Sequence, residues 1–250
     1  MSRRGCASLR GANKRHGAMT TLTDSLSLAA RLIGGLDADL LAIVLLSLRV
    51  SLTAVAIATV IGLPLGALLG LTRFPGRMVV VVLFNTLMGL PPVVVGLGLY
   101  LVISRAGPLG WLGLLYSPTA MIAAQTVLVT PIVIALTRQI VESLWEEYDE
   151  QLRSFGVGPA GLIATLLWEG RVSLITAILA GFARANAEVG AVMIVGGNID
   201  HYTRVMTTTI ALEVSKGDLP LALALGIVLL SIALLINAGV SVAAMRSQNR

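Results

Sequence analysis

Residues 50–72, VSLTAVAIATVIGLPLGALLGLT, form an apolar run without a charged side chain. A helix of about 20 apolar residues is long enough to cross the hydrocarbon core of a bilayer. Similar runs occupy residues 78–104, 117–137, 172–197 and 219–243, of which only residues 172–197 include charges. This pattern predicts an all-α integral membrane protein with about five transmembrane helices, in a domain expected to extend over residues 37–246.

The composition supports the same fold class. Of the 250 residues, 12% are charged and 56% are hydrophobic, whereas a soluble domain has roughly 25% charged residues. The 26 glycines suit helices whose backbones pack closely within lipid. The net charge of +5 does not indicate a nucleic-acid partner, because arginines between apolar runs usually set the orientation of a membrane protein. We therefore expect membrane lipid as a partner, and no nucleic acid.

Basic residues at the ends of the apolar runs predict the orientation in the membrane. Arginine and lysine are enriched in cytoplasmic loops. One side of a five-span arrangement holds Arg73, Arg77, Arg138, Arg153, Arg171, Arg246 and Arg250, and the other holds Arg105, Arg204 and Lys216. The loop over residues 138–171 and the C-terminus are accordingly predicted to be cytoplasmic, in a multi-pass membrane protein.

The N-terminal segment, residues 1–36, conflicts with this orientation because five spans place it outside. Five basic residues lie close to its start: Arg3, Arg4, Arg10, Lys14 and Arg15. If translation begins at Met19 instead of Met1, residues 1–18 and these charges are absent from the chain, and the sequence leaves both starts open. Apolar residues at helical spacing over residues 22–36 predict an amphipathic helix in the membrane interface.

Residues 138–171 form the one long polar segment between predicted spans. Its first half contains Glu142, Glu146, Glu147, Asp149 and Glu150, and Gly156-Val157-Gly158-Pro159 lies at its middle. Glycine and proline together indicate a turn, so the segment is predicted to form two short helices joined by that turn. A solvated loop is the simpler interpretation, but an acidic helix beside a glycine break favours a docking element for a partner.

The sequence has no motif that would make the chain an enzyme. A phosphate-binding loop of the type G-x-x-x-x-G-K-[ST] requires a lysine after a glycine, whereas Lys14 and Lys216 follow Asn13 and Ser215. One cysteine and two histidines are too few for a Cys/His metal cluster. No catalytic or metal-binding residue is therefore predicted, and the chain is not expected to bind ATP through this motif.

Two charged residues lie within the predicted fourth span. Arg184 and Glu188 are four residues apart, which places them on one face of a continuous helix. Ionised groups at membrane depth pair with each other or face a water-filled path. The two residues therefore either neutralise each other and lock the span against its neighbours, or they handle an anion.

Prolines and asparagines provide the other candidates within the spans. Pro91 and Pro92 interrupt the second span, which indicates either a packing kink or part of a transport path. Asn186 and Asn198 supply polar groups at the fourth span, either for the path or for hydrogen bonds between helices.

Several stretches together resemble one protein family. Residues 89–96 are GLPPVVVG, residues 183–191 are ARANAEVGA, and Glu150-Gln151-Leu152 precedes Gly156 by three residues. These stretches resemble the LPPVVxG, ARAxGEFGA and E-A-A-x-x-x-G motifs of permease subunits of ATP-binding-cassette (ABC) importers for molybdate, tungstate and sulfate. Residues 167–171, LWEGR, and 203–213, TRVMTTTIALE, are most similar to the tungstate-specific branch. The two alanines of the loop motif are absent here, and Asn186 departs from the apolar residue or glycine expected at its position.

This resemblance implies a permease like those of type I ABC importers, with a cytoplasmic coupling loop. The coupling residues that it implies are Glu147, Glu150, Gln151, Gly156, Trp168 and Glu169. The expected assembly is a homodimer of permeases with two ATP-binding-cassette ATPase subunits and an extracytoplasmic oxyanion-binding protein. ATP would be used by the ATPase subunits, and this chain would bind no cofactor directly.

The substrate that the resemblance implies is tungstate, with molybdate or sulfate as alternatives. An ion-coupled secondary transporter is a rival of another class. Such a transporter would usually show internal inverted repeats and paired acidic residues within its spans, and the sequence shows neither.

Overall fold

The computed structural model describes residues 38–154, 156 and 158–248, together with Ser27, Arg31 and Gly35. Residues 1–18, and 22–36 apart from those three residues, lie outside the described part of the chain, so the start at Met19 and the interfacial helix stay predictions. The described residues are mostly helical and contain no strand, which confirms the predicted all-α class.

The helices follow one another with short connections. In chain order they are α1 (Ala38–Leu71), α2 (Arg77–Met88), α3 (Pro92–Ile103), a 3₁₀ turn (Gly110–Leu112), α4 (Pro118–Ser154), α5 (Pro159–Glu169), α6 (Arg171–Asn186), α7 (Gly190–Gly196), α8 (Met206–Lys216) and α9 (Leu219–Gln248).

Three of these helices, α1, α4 and α9, are each long and apolar enough to cross a membrane alone. Two more spans arise if each bent pair of helices counts as one, namely α2 with α3, bent by 101°, and α5 with α6, bent by 76°. The described part of the chain therefore contains 3 to 5 candidate spans. The upper number agrees with the five spans expected from the sequence.

Two expectations about the helices were wrong in detail. Residues 172–197 do not form one helix, because α6 ends at Asn186 and α7 begins at Gly190. The first half of the segment 138–171 is not a separate short helix either. It continues α4 without a break as far as Ser154, and only the second half, α5, is a short helix after the predicted turn.

Helices α1 and α4 pack closely along three glycines. Gly62, Gly66 and Gly70 follow one another at four-residue spacing and face Val133, Thr137 and Val141 of α4, which are spaced alike. A Cβ atom on Gly66 would lie 2.7 Å from the carbonyl oxygen of Ile134. Small residues at this spacing let helix backbones approach within a membrane. Because both sets of residues advance together, α1 and α4 run in the same direction.

The two ends of the bundle are named here by the residues that they contain. The loop end contains Leu71, Ser154 and α5, and the far end contains the first turns of α1, α4 and α9. Leu225 of α9 packs in a cluster with Leu40, and Ile236 packs in one with Val55, so α9 runs parallel to α1. The last residues of α9 therefore point towards the loop end.

Helix α9 has the least cover from the rest of the chain. Leu230, Leu234 and Leu235 have 72%, 70% and 70% of their surface exposed. A large exposed apolar surface is unfavourable in water, whereas in a bilayer lipid tails cover it. This distribution fits a multi-pass membrane protein.

Candidate functional site

Two of the stretches that carry the family resemblance, residues 89–96 and 183–191, meet inside the bundle. A Cβ atom on Gly96 would lie 2.7 Å from the Cα atom of Ala191. One turn away, a Cβ atom on Gly190 would lie 2.8 Å from Val93 Cγ2. The glycines therefore allow α3 and α7 to pack at backbone distance. This joint connects the two places where helices are interrupted.

The first interruption lies at Pro91 and Pro92, as predicted from the sequence. Helix α2 ends at Met88, Gly89 donates its N–H to the Thr86 carbonyl at 3.0 Å, and α3 begins at Pro92. Proline suits the first position of a helix because that position has no intrahelical acceptor for an N–H. The chain bends by 101° here, so α3 crosses the bundle in a different direction from α2.

The second interruption separates Arg184 from Glu188. Helix α6 ends at Asn186, so the two residues do not share the face of one helix, and no ion pair joins them in the described structure. Of the two interpretations left open by the sequence, the structure therefore does not support the one in which they neutralise each other across one helical turn. Arg184 is half-buried, and Glu188 is buried with 3% of its surface exposed.

Glu188 instead holds the start of α7. Its Oε1 accepts the N–H of Ala191 at 2.8 Å, and its carbonyl oxygen accepts the hydroxyl of Thr207 at 2.8 Å. A carboxylate at a helix N-terminus satisfies a free N–H and lies at the positive end of the helix dipole. Glu188 thereby ties α7 to the first turn of α8.

Asn186 lines a small polar pocket in the interior of the bundle. The pocket is bounded by polar residues of four helices, namely Ser47, Ser51, Gln125, Asn186 and Thr207. Its free volume is about 10 Å³, close to the space that one water molecule needs. Gln125 Nε2 donates to the Ala185 carbonyl at 3.2 Å, which joins α4 to the end of α6.

Two buried polar atoms at this pocket have no partner within the described chain. They are Gln125 Oε1 and Asn186 Nδ2, and the residues are 4% and 8% exposed. A buried donor or acceptor without a partner costs about 1–3 kcal/mol. The pocket is therefore able to hold a polar guest that accepts from Asn186 and donates to Gln125, such as water.

Sequence reasoning missed the other residues of the polar pocket. Ser47 and Ser51 lie on one face of α1, and Ser47 Oγ accepts the N–H of Met206 at 2.7 Å. Gln125 is the only amide side chain in the apolar run 117–137, which is a signal that could have been used. The position of Thr207 depends on α8, which the sequence pattern did not reveal.

Asn198 lies in the turn after α7 with a positive φ of 49°. Its Oδ1 accepts the hydroxyl of Thr208 at 2.9 Å. Asparagine tolerates this backbone region better than most residues because its side chain bonds locally. The structure brings Asn186 and Glu188 close to the joint of α3 and α7, and it positions Asn198 further towards the far end.

The predicted coupling residues all lie on the surface of the loop end. Gly156 has a positive φ of 64° in the turn between α4 and α5, and Pro159 is the first residue of α5. Trp168 is 71% exposed, and the Arg171 guanidinium lies 5.3 Å from its ring centre. The nearby carboxylates of Glu147, on α4, and Glu169, on α5, both raise the pKa of Tyr148. The two helices of the loop therefore bring acidic groups onto one surface.

A charge cluster lies at the base of this loop. Glu142 of α4 pairs with Arg77 at the start of α2 and with Arg138 one turn earlier in α4. Arg77 Nε also donates to the carbonyl of Leu69, near the end of α1, at 3.0 Å. The charge cluster therefore ties three helices together where α4 leaves the apolar part of the bundle.

No group of three or more His, Cys, Asp or Glu side chains in the described part of the chain is arranged to hold a metal ion. The site thus consists of interrupted helices, neutral polar groups and a charged surface at the loop end.

A family model matches most of the chain. Residues 62–246 match the family of binding-protein-dependent transport system inner membrane components. This range begins within α1 and includes the helix interruptions, the polar pocket residues from Gln125 onwards and the loop between α4 and α5.

Curated relatives match over most of their length. The tungstate uptake system permease protein TupB of Peptoclostridium acidaminophilum is 41% identical over 88% of this chain and 96% of its own. A probable anion ABC transporter permease protein of Haloferax volcanii is 40% identical over 80% of this chain and 88% of its own. TupB of Campylobacter jejuni is 40% identical over 66% of this chain and 69% of its own. The sulfate permease CysT of Escherichia coli and the molybdenum permease ModB of Azotobacter vinelandii are similar at 29% and 28% identity.

Proposed function

Because this chain belongs to the family of binding-protein-dependent transport system inner membrane components, we propose that it is the permease subunit of an ATP-driven importer for tungstate. As a member of this family it is a multi-pass protein of the inner membrane that works with a substrate-binding protein. The helix interruptions and the exposed apolar helices described above are what such a role requires.

The choice of tungstate depends on one observation. Two tungstate uptake permeases are 40–41% identical to this chain, whereas the sulfate and molybdenum permeases are 28–29% identical. Molybdate and sulfate are also tetrahedral oxyanions, so they remain the competing substrates. A direct comparison of the three anions therefore tests the assignment.

The path for the anion is proposed to lie between two copies of the chain. The polar pocket inside one chain has a free volume of about 10 Å³, whereas a tetrahedral oxyanion is several times larger than one water molecule. A homodimer would supply a wider path, with the joint of α3 and α7 and Asn186 close to it. Neutral hydrogen-bonding groups would let the anion pass without trapping it as a buried cation would.

Coupling to ATP is proposed to occur through the loop end. Glu147, Glu150 and Gln151 lie exposed before the Gly156 turn, and Trp168 and Glu169 lie exposed at the end of α5. Two ATPase subunits, one for each permease, would bind these surfaces and hydrolyse the ATP. The C-terminus would then be cytoplasmic, because the end of α9 points towards the same end of the bundle.

The experiment that tests this function is uptake in cells that lack the permease. Cells with the gene restored are expected to accumulate tungsten from micromolar tungstate, measured by mass spectrometry of washed cells. A tenfold excess of sulfate should leave this uptake unchanged, and a tenfold excess of molybdate should reduce it only weakly. Equal accumulation of tungsten with and without the permease would contradict the proposal, and strong competition by sulfate would contradict the choice of tungstate.

A further inference from the structure

A second pocket, at the far end, has the chemistry of an anion site. This far-end pocket has a volume of about 400 Å³ and is lined by Tyr100, Ser104, Arg105 and Tyr116 among others. Its polar lining consists of a guanidinium and three hydroxyl groups. It lies between the end of α3 and the loop that leads into α4, away from the polar pocket and from the loop end.

Arg105 is the charged residue of the far-end pocket. Its side chain is exposed and has neither an ion pair nor a hydrogen bond with any residue that the structure describes. The sequence has no aspartate or glutamate from residue 40 to residue 141, so no acidic residue is close to it along the chain. In the predicted orientation Arg105 lies on the side where arginine is disfavoured. A structural role as an ion-pair partner therefore does not account for it.

The walls of the far-end pocket are held in place by close backbone contacts. Leu109 donates its N–H to the carbonyl of Val102 at 3.0 Å, which folds the loop back onto the last turn of α3. A Cβ atom on Gly107 would overlap the Leu101 carbonyl oxygen, and one on Gly110 would overlap the Ser104 carbonyl oxygen. The loop can therefore adopt this path only with glycine at both positions.

Tyr116 has a strained backbone at the opposite wall. Its φ is +61°, a region that is unfavourable for a bulky residue. The strain is held by a hydrogen bond from its N–H to the Val195 carbonyl at 2.9 Å and by packing of its ring on Gly197. Strained residues occur preferentially at functional sites. The strained conformation therefore indicates that the position of the Tyr116 side chain is important for function. Its contacts with Val195 and Gly197 connect the far-end pocket to the end of α7.

The hydroxyl groups are suited to donate hydrogen bonds. A tyrosine hydroxyl is protonated at neutral pH, and the neighbouring Tyr100 raises the pKa of Tyr116 further. Ser104 Oγ makes only a long bond of 3.3 Å, to the Leu101 carbonyl, and so it is free to rotate towards a guest. Arginine presents its N–H groups in a fork that matches the oxygens of an oxyanion.

We propose that the far-end pocket is an oxyanion-binding site, in which Arg105, Ser104, Tyr100 and Tyr116 bind tungstate on its way from the binding protein into the permease. This inference rests on the proposed function and adds to it a site on this chain. A single guanidinium in an exposed pocket binds a divalent anion weakly and reversibly. A site that passes the anion onwards requires such weak binding. A tetrahedral oxyanion with part of its water fits within 400 Å³.

The test measures tungstate binding to the purified permease–ATPase complex in lipid nanodiscs, without the binding protein. Equilibrium dialysis of sodium tungstate should show saturable binding by the wild-type complex. Arg105→Gln is expected to weaken this binding by about tenfold or more, because charge-assisted hydrogen bonds are lost. Tyr116→Phe should weaken it by about threefold, since one donor is removed. Arg73→Gln, at an exposed arginine of the loop end, is the matched control and should bind as the wild type does.

Two controls accompany this test. A monodisperse complex with normal basal ATP hydrolysis shows that a variant is folded. Arg105→Lys keeps the charge and should therefore retain part of the tungstate binding. Unchanged tungstate binding by Arg105→Gln, or no saturable binding by the wild type, would overturn the site. If Arg105→Gln reduced only the affinity for the binding protein, Arg105 would be a docking contact and the site would be overturned. Normal cellular uptake of tungstate beside such results would leave the proposed function intact, whereas binding of sulfate but not tungstate would contradict the substrate while supporting the pocket.

Discussion

The carboxylate of Glu142 on α4 is ion-paired with the guanidinium of Arg77, the first residue of α2. The same carboxylate pairs with Arg138, and Arg77 reaches the Leu69 carbonyl at the end of α1. The pair is about a quarter to a third exposed, so solvent screens it in part. It connects the part of α4 that extends to the loop end with α1 and α2.

A double-mutant cycle measures the strength of this connection. Glu142→Gln, Arg77→Gln and the double variant are expected to give a coupling energy of about 1 kcal/mol in thermal unfolding, as for a partly exposed charge network. The matched control is Asp200, a carboxylate that is 60% exposed and pairs with Arg204; Asp200→Asn should change stability by only a few tenths of a kcal/mol. A coupling energy of zero between Glu142 and Arg77 would show that they act independently.

Glu142→Gln should also lower the amount of tungstate transported per ATP hydrolysed. If the charge cluster holds the extension of α4 against α1 and α2, its loss loosens the joint through which closure of the ATPase reaches the bundle. We expect ATP hydrolysis to continue while tungstate uptake per ATP falls by several-fold in proteoliposomes. An unchanged ratio of uptake to hydrolysis would remove the charge cluster from the mechanism.

Gly66→Ala tests the close packing of α1 on α4. The added methyl group would lie 2.7 Å from the backbone oxygen of Ile134, which cannot move aside as a side chain can. The substitution is expected to destabilise the permease by about 1–3 kcal/mol in thermal unfolding in detergent. Gly226→Ala in α9 is the control, because nothing lies within 4 Å of its added methyl group. There alanine should be neutral or stabilising by up to about 1 kcal/mol.

Gly156→Ala tests the turn of the coupling loop. At a φ of 64° alanine is disfavoured by about 1 kcal/mol, and the turn should lose its shape. We expect tungstate uptake to fall by about fivefold while the amount of permease in the membrane stays normal. The neighbouring Gly158 has a φ of −69° and open space around it, so Gly158→Ala should transport normally. Equal effects of the two variants would contradict a specific role for the Gly156 turn.

Substitutions of Glu188 distinguish a structural role of its carboxylate from a role in the transport path. Glu188→Gln keeps an oxygen that can accept the N–H of Ala191, whereas Glu188→Ala loses it and leaves that buried donor unpaired. Stability should fall by about 1–2 kcal/mol with alanine and by less with glutamine. If Glu188→Gln is stable and abolishes uptake, the charge itself is required for transport, and the purely structural interpretation fails.

The sequence was most informative where the signal is long and local. Runs such as residues 50–72 predict a helix from composition alone, and the proline pair at Pro91 and Pro92 indicates a break within its own span. Gly156 likewise marks a turn by its residue type. Each of these features depends on a few consecutive residues, so the fold class, the upper number of spans and the turn were predictable.

Features that depend on partners far along the chain were not predictable. The break after Asn186 contains neither glycine nor proline before Gly190, and it is held by the carboxylate of Glu188 on α7 and by Thr207. The four-residue spacing of Arg184 and Glu188 therefore suggested a continuous helix that does not form. Gln125 contacts Ala185, 60 positions later, so no local pattern could bring them together.

Helix α8 was not predicted from the sequence, because it is short and partly polar. Its 11 residues include Thr207, Glu213 and Lys216, which lower the hydropathy below that of a span. Glu213 is buried, and its carboxylate pairs with Lys216 at 2.8 Å. The two charged residues of α8 thus pair with each other.

Transport by the complete importer tests the central claim most directly. Proteoliposomes containing the permease, its ATPase subunit and the tungstate-loaded binding protein are expected to accumulate tungstate only when ATP is present on the side of the loop end. Omission of the binding protein or of ATP should abolish accumulation, and sulfate should not replace tungstate. Accumulation of tungstate by the permease alone in response to an ion gradient, or none by the complete complex, would contradict the account.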